Sequence, residues 1–157
     1  MSLFHIRTSS TRFRELIKIV KDVIKSYHPI KISSEGYALY EGVVAYRLSN
    51  SPAQRRLNQK IVSSCYRLRT GEMPWTSRLK PKAWENRNRL RYGTQHNIGK
   101  SFNPHFTMAS FATPSVAKEF VKNTKPQKFS FLGDTIAICE VNVNHQVTKI
   151  FEIFKLK

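Results

Sequence analysis

Apolar residues recur at helical spacing in two long stretches of the chain. Over residues 12–27 they fall three or four positions apart, basic residues occupy the opposite side, and Pro29 follows. This pattern predicts an amphipathic helix with one face in the core and one basic face. Residues 51–69 carry a similar stripe, with Ser51 as a candidate N-cap and Pro52 at the first helical position. The sequence therefore predicts two long helices.

Segments rich in β-branched and aromatic residues lie between and after these helices. Residues 30–34, 37–40 and 43–48 predict an antiparallel pair or meander that is broken by Gly36 and Gly42. The other predicted elements are a short helix near residues 113–121 and strands at residues 3–8, 102–111, 129–131, 135–143 and 148–156. Together they indicate an α+β fold, and we expect one domain over residues 1–157.

Residues 72–100 show no clean period, so we expect a long basic loop with one short helix near residues 83–90. Basic and aromatic residues alternate in this loop, which suits single-stranded nucleic acid because cations bind phosphates and aromatic rings stack on bases. The candidate nucleic-acid-binding residues are Trp75, Arg78, Lys80, Lys82, Arg87, Arg89, Arg91 and Tyr92. The alternative is that the tryptophans anchor the loop to the core while the arginines are solvated.

The charge of the chain narrows the choice of partner. Among 157 residues, 27 are Lys or Arg and 10 are Asp or Glu, which gives a formal charge of +17. This favours a polyanion, with RNA or another nucleic acid ahead of an anionic membrane, although a basic surface that serves only solubility remains an alternative. Cys65 and Cys139 have no metal-ligand spacing, and no apolar run approaches a membrane span. We therefore expect a cytoplasmic protein with reduced thiols and no metal or other cofactor.

The predicted strand at residues 102–111 contains the best candidate for chemistry. Alternate side chains of a strand share a face, so His105 and Thr107 are expected to project together. A histidine transfers protons near neutral pH, and a threonine hydroxyl donates to an anion. A second histidine, His5, precedes the first helix much as His105 precedes a later one. Two-lobed folds built this way can bring two histidines to one cleft as general base and general acid.

The run Pro104-His105-Phe106-Thr107-Met108 resembles the second signature of the 2H phosphoesterase superfamily. This superfamily contains 2′-5′ RNA ligase-like proteins and cyclic phosphodiesterases, and its members carry two His-x-Thr/Ser motifs. The resemblance implies two-lobed, pseudo-symmetric antiparallel sheets with flanking helices. It also implies metal-independent hydrolysis of a 2′,3′-cyclic phosphate or a 2′-5′ phosphodiester, with His105 as a catalytic acid or base and Thr107 as a phosphate ligand.

The candidate for the first motif is His5-Ile6-Arg7, in which arginine stands where the family has threonine or serine. By the resemblance His5 would be the second catalytic histidine. Arg7 would bind phosphate, since a guanidinium forks onto its oxygens. Family members usually have a strand and a helix before this motif, whereas four residues precede His5 here. We expect either a domain that lacks those elements or one in which the true first motif is missing and His5 is incidental. The alternative function is a non-catalytic RNA-binding or interaction module on a degenerate 2H scaffold.

Overall fold

The computed structural model describes residues 1–73, 82–94, 97–143 and 146–157, and these residues form an α+β fold. The helices are α1 (Ser10–Ile24), α2 (Pro52–Cys65), α3 (Ala83–Tyr92) and α4 (Pro114–Asn123). The strands are β1 (Ile30–Tyr40), β2 (Val43–Leu48), β3 (His105–Ser110), β4 (Ser130–Gly133), β5 (Thr135–Val141) and β6 (Val147–Lys155). Short 3₁₀ turns occur at Tyr66–Leu68 and Gly99–Ser101. The α+β prediction is confirmed at this level.

The two long helices form where the apolar stripes predict them, and they pack against each other. Ser51 caps α2 by accepting from the Gln54 backbone N–H at 3.2 Å, while the Gln54 side chain accepts from the Ser51 N–H at 2.7 Å. This capping box satisfies two backbone donors that the helix itself leaves open. The core between the helices is made of Leu16, Val20, Val23, Ile24, Leu57, Ile61 and Cys65, to which Leu68 and Leu156 add.

The strands form a four-stranded antiparallel sheet in the order β3-β2-β1-β4 and a separate β5–β6 hairpin. The four-stranded sheet is curled. The expectation that Gly36 breaks the chain into two strands is wrong, because β1 runs through it. The register against β2 shifts between Ser34 and Tyr37, and Gly36 takes a φ of +103° there. Glycine adopts this conformation without steric cost, so the irregularity bends the strand without ending it.

The predicted strand at residues 3–8 is not a strand in the structure. These residues run along α2 and the turn after it, held by single hydrogen bonds to several partners. Asn58 donates to the Leu3 carbonyl at 2.6 Å, and the Thr70 N–H donates to the Arg7 carbonyl at 2.8 Å. The alternation of side chains is present in the sequence, but no neighbouring strand pairs with this segment among the described residues.

The buried Asn58 side chain holds this N-terminal segment by a hydrogen bond. Removing that side chain is expected to destabilise the protein. Its amide donates to the Leu3 carbonyl and also to the Asn97 carbonyl at 2.8 Å, while the side chain is fully buried. Asn58→Ala leaves both carbonyls without this donor, so we expect the free energy of unfolding in urea to fall by about 2 kcal/mol. Gln59→Ala, on the exposed side of the same helix, is the control and is expected to change it by less than about 0.5 kcal/mol. Equal effects of the two variants would contradict this role of Asn58.

In the described ranges, no helix has both the length and the apolar character needed to cross a membrane.

Candidate active site

Strand β3 lies at one edge of the curled sheet, and its pairing with β2 decides which way His105 points. His105 lies opposite Arg47, and Thr107 lies opposite Ala45. Because side chains alternate along a strand, these two residues project from the face that also carries Arg47. Phe106 lies opposite Tyr46 and projects from the other face.

Aromatic packing on that other face fixes the orientation of the edge strand. The ring of Tyr46 lies 5.2 Å from that of Phe106 and 5.1 Å from those of Phe129 and Tyr37. A slip of β3 by one residue would expose Phe106 and bury His105, so this cluster disfavours any other register. The backbone before the strand is held as well, since the Leu48 N–H donates to the Pro104 carbonyl at 2.9 Å.

The face that carries His105 also carries Tyr40. Tyr40 pairs with Val43 at one end of β2, whereas His105 pairs with Arg47 at the other end. The rings of Tyr40 and His105 nevertheless lie 5.5 Å apart. We infer from this approach that the sheet twists and curves toward this face. We use the name concave site for Tyr40, Arg47, Asn103, His105 and Thr107.

Hydrogen bonds within the concave site orient the imidazole and the phenol. Nδ1 of His105 lies 2.8 Å from the Asn103 carbonyl oxygen, which can only accept, so Nδ1 carries the proton. In the neutral ring, Nε2 then holds the lone pair and acts as a base. The Asn103 amide donates to the Tyr40 hydroxyl at 2.7 Å, which leaves the phenolic proton able to donate elsewhere.

Charge and exposure at the concave site favour an anionic ligand. The Arg47 side chain is exposed beside His105, and the Thr107 side chain is exposed one pleat further along β3. His105 itself is half-buried, so part of its ring is open to a ligand. The arrangement can offer a cation, a hydroxyl donor and a proton-transfer group to one phosphate.

Tyr40 and Asn103 belong to the concave site although no sequence pattern predicted them as site residues. Asn103 stands two residues before His105 and directly before a proline, which favours an extended backbone and places its carbonyl near the imidazole. That Asn-x-His spacing was a usable signal. Tyr40 lies 63 residues away from Asn103 in the chain, and no local pattern connects them.

His5 and Arg7 lie in another part of the molecule from the concave site. Both line a cavity of about 1210 Å³ between the N-terminal segment, α1, α2 and β5, and most of its other lining residues are apolar. Of the described residues that line it, none is His105 or Thr107. The structure thus brings His5 and Arg7 together but does not bring them to one cavity with His105.

The basic residues of the predicted loop have several different environments. Trp75, Arg78 and Lys80 lie outside the described residues. Lys82 and Arg87 are exposed at the start and middle of α3, whereas Arg89 binds Glu72 at 2.8 Å and Asn86 at 2.9 Å. The Arg91 guanidinium lies 5.2 Å from the centre of the Tyr92 ring. Arg89 therefore fixes α3 to the preceding segment, and the other three residues remain accessible.

Neither cysteine supplies an evident nucleophile. Cys65 is fully buried, and burial raises its pKa to about 12, so its thiolate does not form near neutral pH. Cys139 is half-buried on β5. Within the described ranges, no three His, Cys, Asp or Glu side chains come together as metal ligands.

The concave site combines a base, a cation and two hydroxyl groups. Such groups can together bind a phosphate ester and transfer protons to or from it. The sequence motif behind the 2H resemblance covers only Pro104 to Met108. Neither a protein-family model nor a curated protein sequence matches this chain.

Proposed function

We propose that this chain hydrolyses phosphate esters at RNA ends, namely a 2′,3′-cyclic phosphate or a 2′-5′ phosphodiester, and that it does so at the concave site without a metal ion. The observation that carries the proposal is the hydrogen bond from His105 Nδ1 to the Asn103 carbonyl, which directs a basic Nε2 away from the backbone. The exposed Arg47 and Thr107 on the same face supply groups for a phosphate. As part of this proposal, the curled sheet and the β5–β6 hairpin correspond to the two lobes of a 2H-type fold.

The proposed reaction uses His105 as the general base. Nε2 takes a proton from water as the water oxygen attacks phosphorus, and Thr107 and Arg47 stabilise the charge on the phosphoryl oxygens. The P–O bond to one ribose oxygen breaks, and that oxygen takes a proton from a general acid. The product is a phosphomonoester on the ribose, and solvent exchange returns both groups to their starting protonation states.

Two residues are candidates for the general acid. The 2H resemblance assigns it to His5, which would have to approach from the cavity that it lines. The contacts favour Tyr40, because its ring lies 5.5 Å from that of His105 and its hydroxyl oxygen is already occupied by the Asn103 amide. A phenol held in this way donates its own proton to the ligand.

A second candidate function is non-catalytic RNA binding on the same scaffold. The observation in its favour is the location of His5, which lines the large cavity and not the concave site. The net charge of +17 would then supply most of the affinity, and this affinity would fall steeply with salt.

A hydrolysis assay with RNA oligonucleotides decides between the two functions. We expect the wild-type protein to convert a 3′-terminal 2′,3′-cyclic phosphate to a monoester in buffer containing EDTA, as followed by phosphorus NMR and by gel mobility. A 2′-5′-linked dinucleotide is assayed in parallel, with a 3′-5′-linked one as its control. Salt-sensitive RNA binding without turnover of any substrate would overturn the enzymatic proposal in favour of the binding module.

A further inference from the structure

A basic cleft lies at the end of α2, outside the concave site. It has a volume of about 480 Å³ and opens between the turn that follows α2 and the last turn of α3. Its lining residues are Tyr66, Arg67, Arg69, Thr70, Gly71 and Arg91. No residue is shared with the concave site, so the cleft can bind a ligand whether or not His105 is catalytic.

The charge of the cleft is of one sign. Arg67, Arg69 and Arg91 line it, and none of its described lining residues is a carboxylate. Arg7 approaches the cleft from the N-terminal segment, since its Cδ lies 3.8 Å from the point that a Gly71 side chain would occupy. The next residue, Glu72, is neutralised by its 2.8 Å ion pair with Arg89. The local potential is therefore strongly positive.

The lining arginines are held in place by contacts with other described residues, and these contacts use only a few of their donors. Arg69 Nη2 donates to the Leu90 carbonyl at 2.8 Å, and Arg67 Nε donates to the Tyr66 hydroxyl at 3.2 Å. Arg91 lies against the Tyr92 ring. The rings of Tyr66 and Tyr92 pack edge to face, with their centres 5.6 Å apart. A guanidinium has five N–H donors, so the contacts of each arginine with described residues leave several donors for a ligand.

The positive charge of the cleft changes the pKa of its lining tyrosine, Tyr66. The hydrogen bond from Arg67 and then the fields of Arg67 and Arg91 lower the pKa of the Tyr66 phenol below its ordinary value. The cleft thus stabilises the anionic form of a group that it already contains. The same donors can serve an external oxyanion.

We propose that this cleft binds a phosphate group of single-stranded RNA. Fixed guanidinium forks match the oxygens of a phosphate, and the cleft volume is in the range that small ligands such as one nucleotide occupy. None of the described residues that line the cleft has an aliphatic side chain, which disfavours the surface of a lipid bilayer as the partner. The formal charge of +17 draws a polyanion to the protein in the first place.

The test is the binding of a fluorescein-labelled, single-stranded RNA 12-mer with a 3′-hydroxyl end, measured by anisotropy from 50 to 300 mM salt. This RNA carries no cyclic phosphate or 2′-5′ bond, so failure of the hydrolysis proposal does not affect the result. The double variant Arg67→Gln/Arg91→Gln removes two cleft charges. The control Arg14→Gln/Arg56→Gln removes two exposed arginines from α1 and α2.

We expect the cleft variant to weaken RNA binding about tenfold at 100 mM salt and to flatten the salt slope by about 0.7, the amount that one lost phosphate contact removes on a single strand. The control is expected to weaken binding by less than about threefold. Inorganic phosphate and a nucleoside monophosphate are also added, each at the total phosphate concentration of the RNA. If either displaces the RNA, the ligand of the cleft is a free phosphate compound, and the RNA assignment is overturned. Equal losses in both double variants would overturn the cleft altogether. Binding to phosphatidylserine vesicles that only the cleft variant loses, with RNA binding intact, would identify a lipid site instead.

Discussion

Replacing His105 by alanine is expected to lower kcat/KM for hydrolysis of a 2′,3′-cyclic phosphate by about 10³-fold, because a general base contributes about 10²–10⁴. The physical reason is the loss of Nε2, whose basic state is set by the bond from Nδ1 to the Asn103 carbonyl. The loss should lie in kcat more than in KM, since proton transfer develops in the transition state while Arg47 and Thr107 still bind the ground-state phosphate. Steady-state kinetics of the purified variant measure both constants.

His28→Ala is the matched control for this substitution. The Nδ1 of His28 also lies beside a main-chain oxygen, that of Lys157, at 3.0 Å, but His28 lies between α1 and β1, outside the concave site. We expect its kcat/KM to equal that of the wild type. A loss below threefold in His105→Ala, or equal losses in the two variants, would contradict a proton-transfer role for His105.

The pair Tyr40→Phe and His5→Ala then identifies the general acid. If Tyr40 is the acid, Tyr40→Phe lowers kcat by about 10²-fold, while His5→Ala leaves it unchanged. The reverse pattern would support the two-histidine arrangement implied by the 2H resemblance. Because the phenylalanine variant keeps the ring and its 5.5 Å contact with His105, the change reports on the hydroxyl and on its bond from the Asn103 amide.

The helices and most strands could be predicted because the signals are local. The apolar stripe of α1, the Ser51-Pro52 start of α2 and the alternation around His105 each occupy one short stretch of chain. The curl of the sheet is different in kind. It follows from pairing and twist over four strands, and no single stretch records it. For this reason the sequence predicted His105 and Thr107 as a pair but gave no indication of Tyr40.

The N-terminal segment also shows that a local pattern cannot reveal contacts with distant parts of the chain. Residues 3–8 alternate as a strand does, yet a strand exists only when another strand pairs with it. Here the partners are the Asn58 side chain, the Thr70 N–H and the Leu68 carbonyl. Each comes from a residue more than fifty positions away, so the alternation alone could not reveal this arrangement.

The arginines of the basic loop divide into roles that composition does not distinguish. Arg89 and Arg91 are two residues apart, but Arg89 is bound to Glu72 while Arg91 turns to a cleft shared with Arg67 and Arg69. The helical repeat separates their directions, and the packing of α3 against the segment after α2 selects their partners. The sequence predicted residues 72–100 as a nucleic-acid-binding stretch. The fold places Arg67 and Arg69, from the segment that follows α2, beside Arg91 of that stretch.

Gly93→Ala is expected to destabilise the protein by about 3 kcal/mol through two effects that the structure separates. Gly93 ends α3 with a φ of +75°, which costs alanine about 1 kcal/mol. A methyl group there would lie 2.8 Å from the Gly71 carbonyl oxygen and 3.2 Å from Arg69 Cδ, so α3 must move away, at a further cost of about 2 kcal/mol. The displacement also strains the bond from the Met73 N–H to the Gly93 carbonyl, which is 2.9 Å long.

Gly99→Ala is the control that isolates the contact with Gly71. Gly99 has a φ of +55°, but a methyl group there would meet no atom within 4 Å among the described residues beyond its chain neighbours. We therefore expect it to lower the free energy of unfolding in urea by about 1 kcal/mol, the conformational part alone. Both substitutions restrict the unfolded chain equally. The difference of about 2 kcal/mol between them is therefore the cost of the steric contact between α3 and the segment after α2. That approach also forms the basic cleft, so Gly93→Ala should weaken RNA binding in conditions where the variant is still folded, and Gly99→Ala should not. Equal destabilisation by the two alanines would show that the close approach of Gly93 to Gly71 contributes nothing to stability.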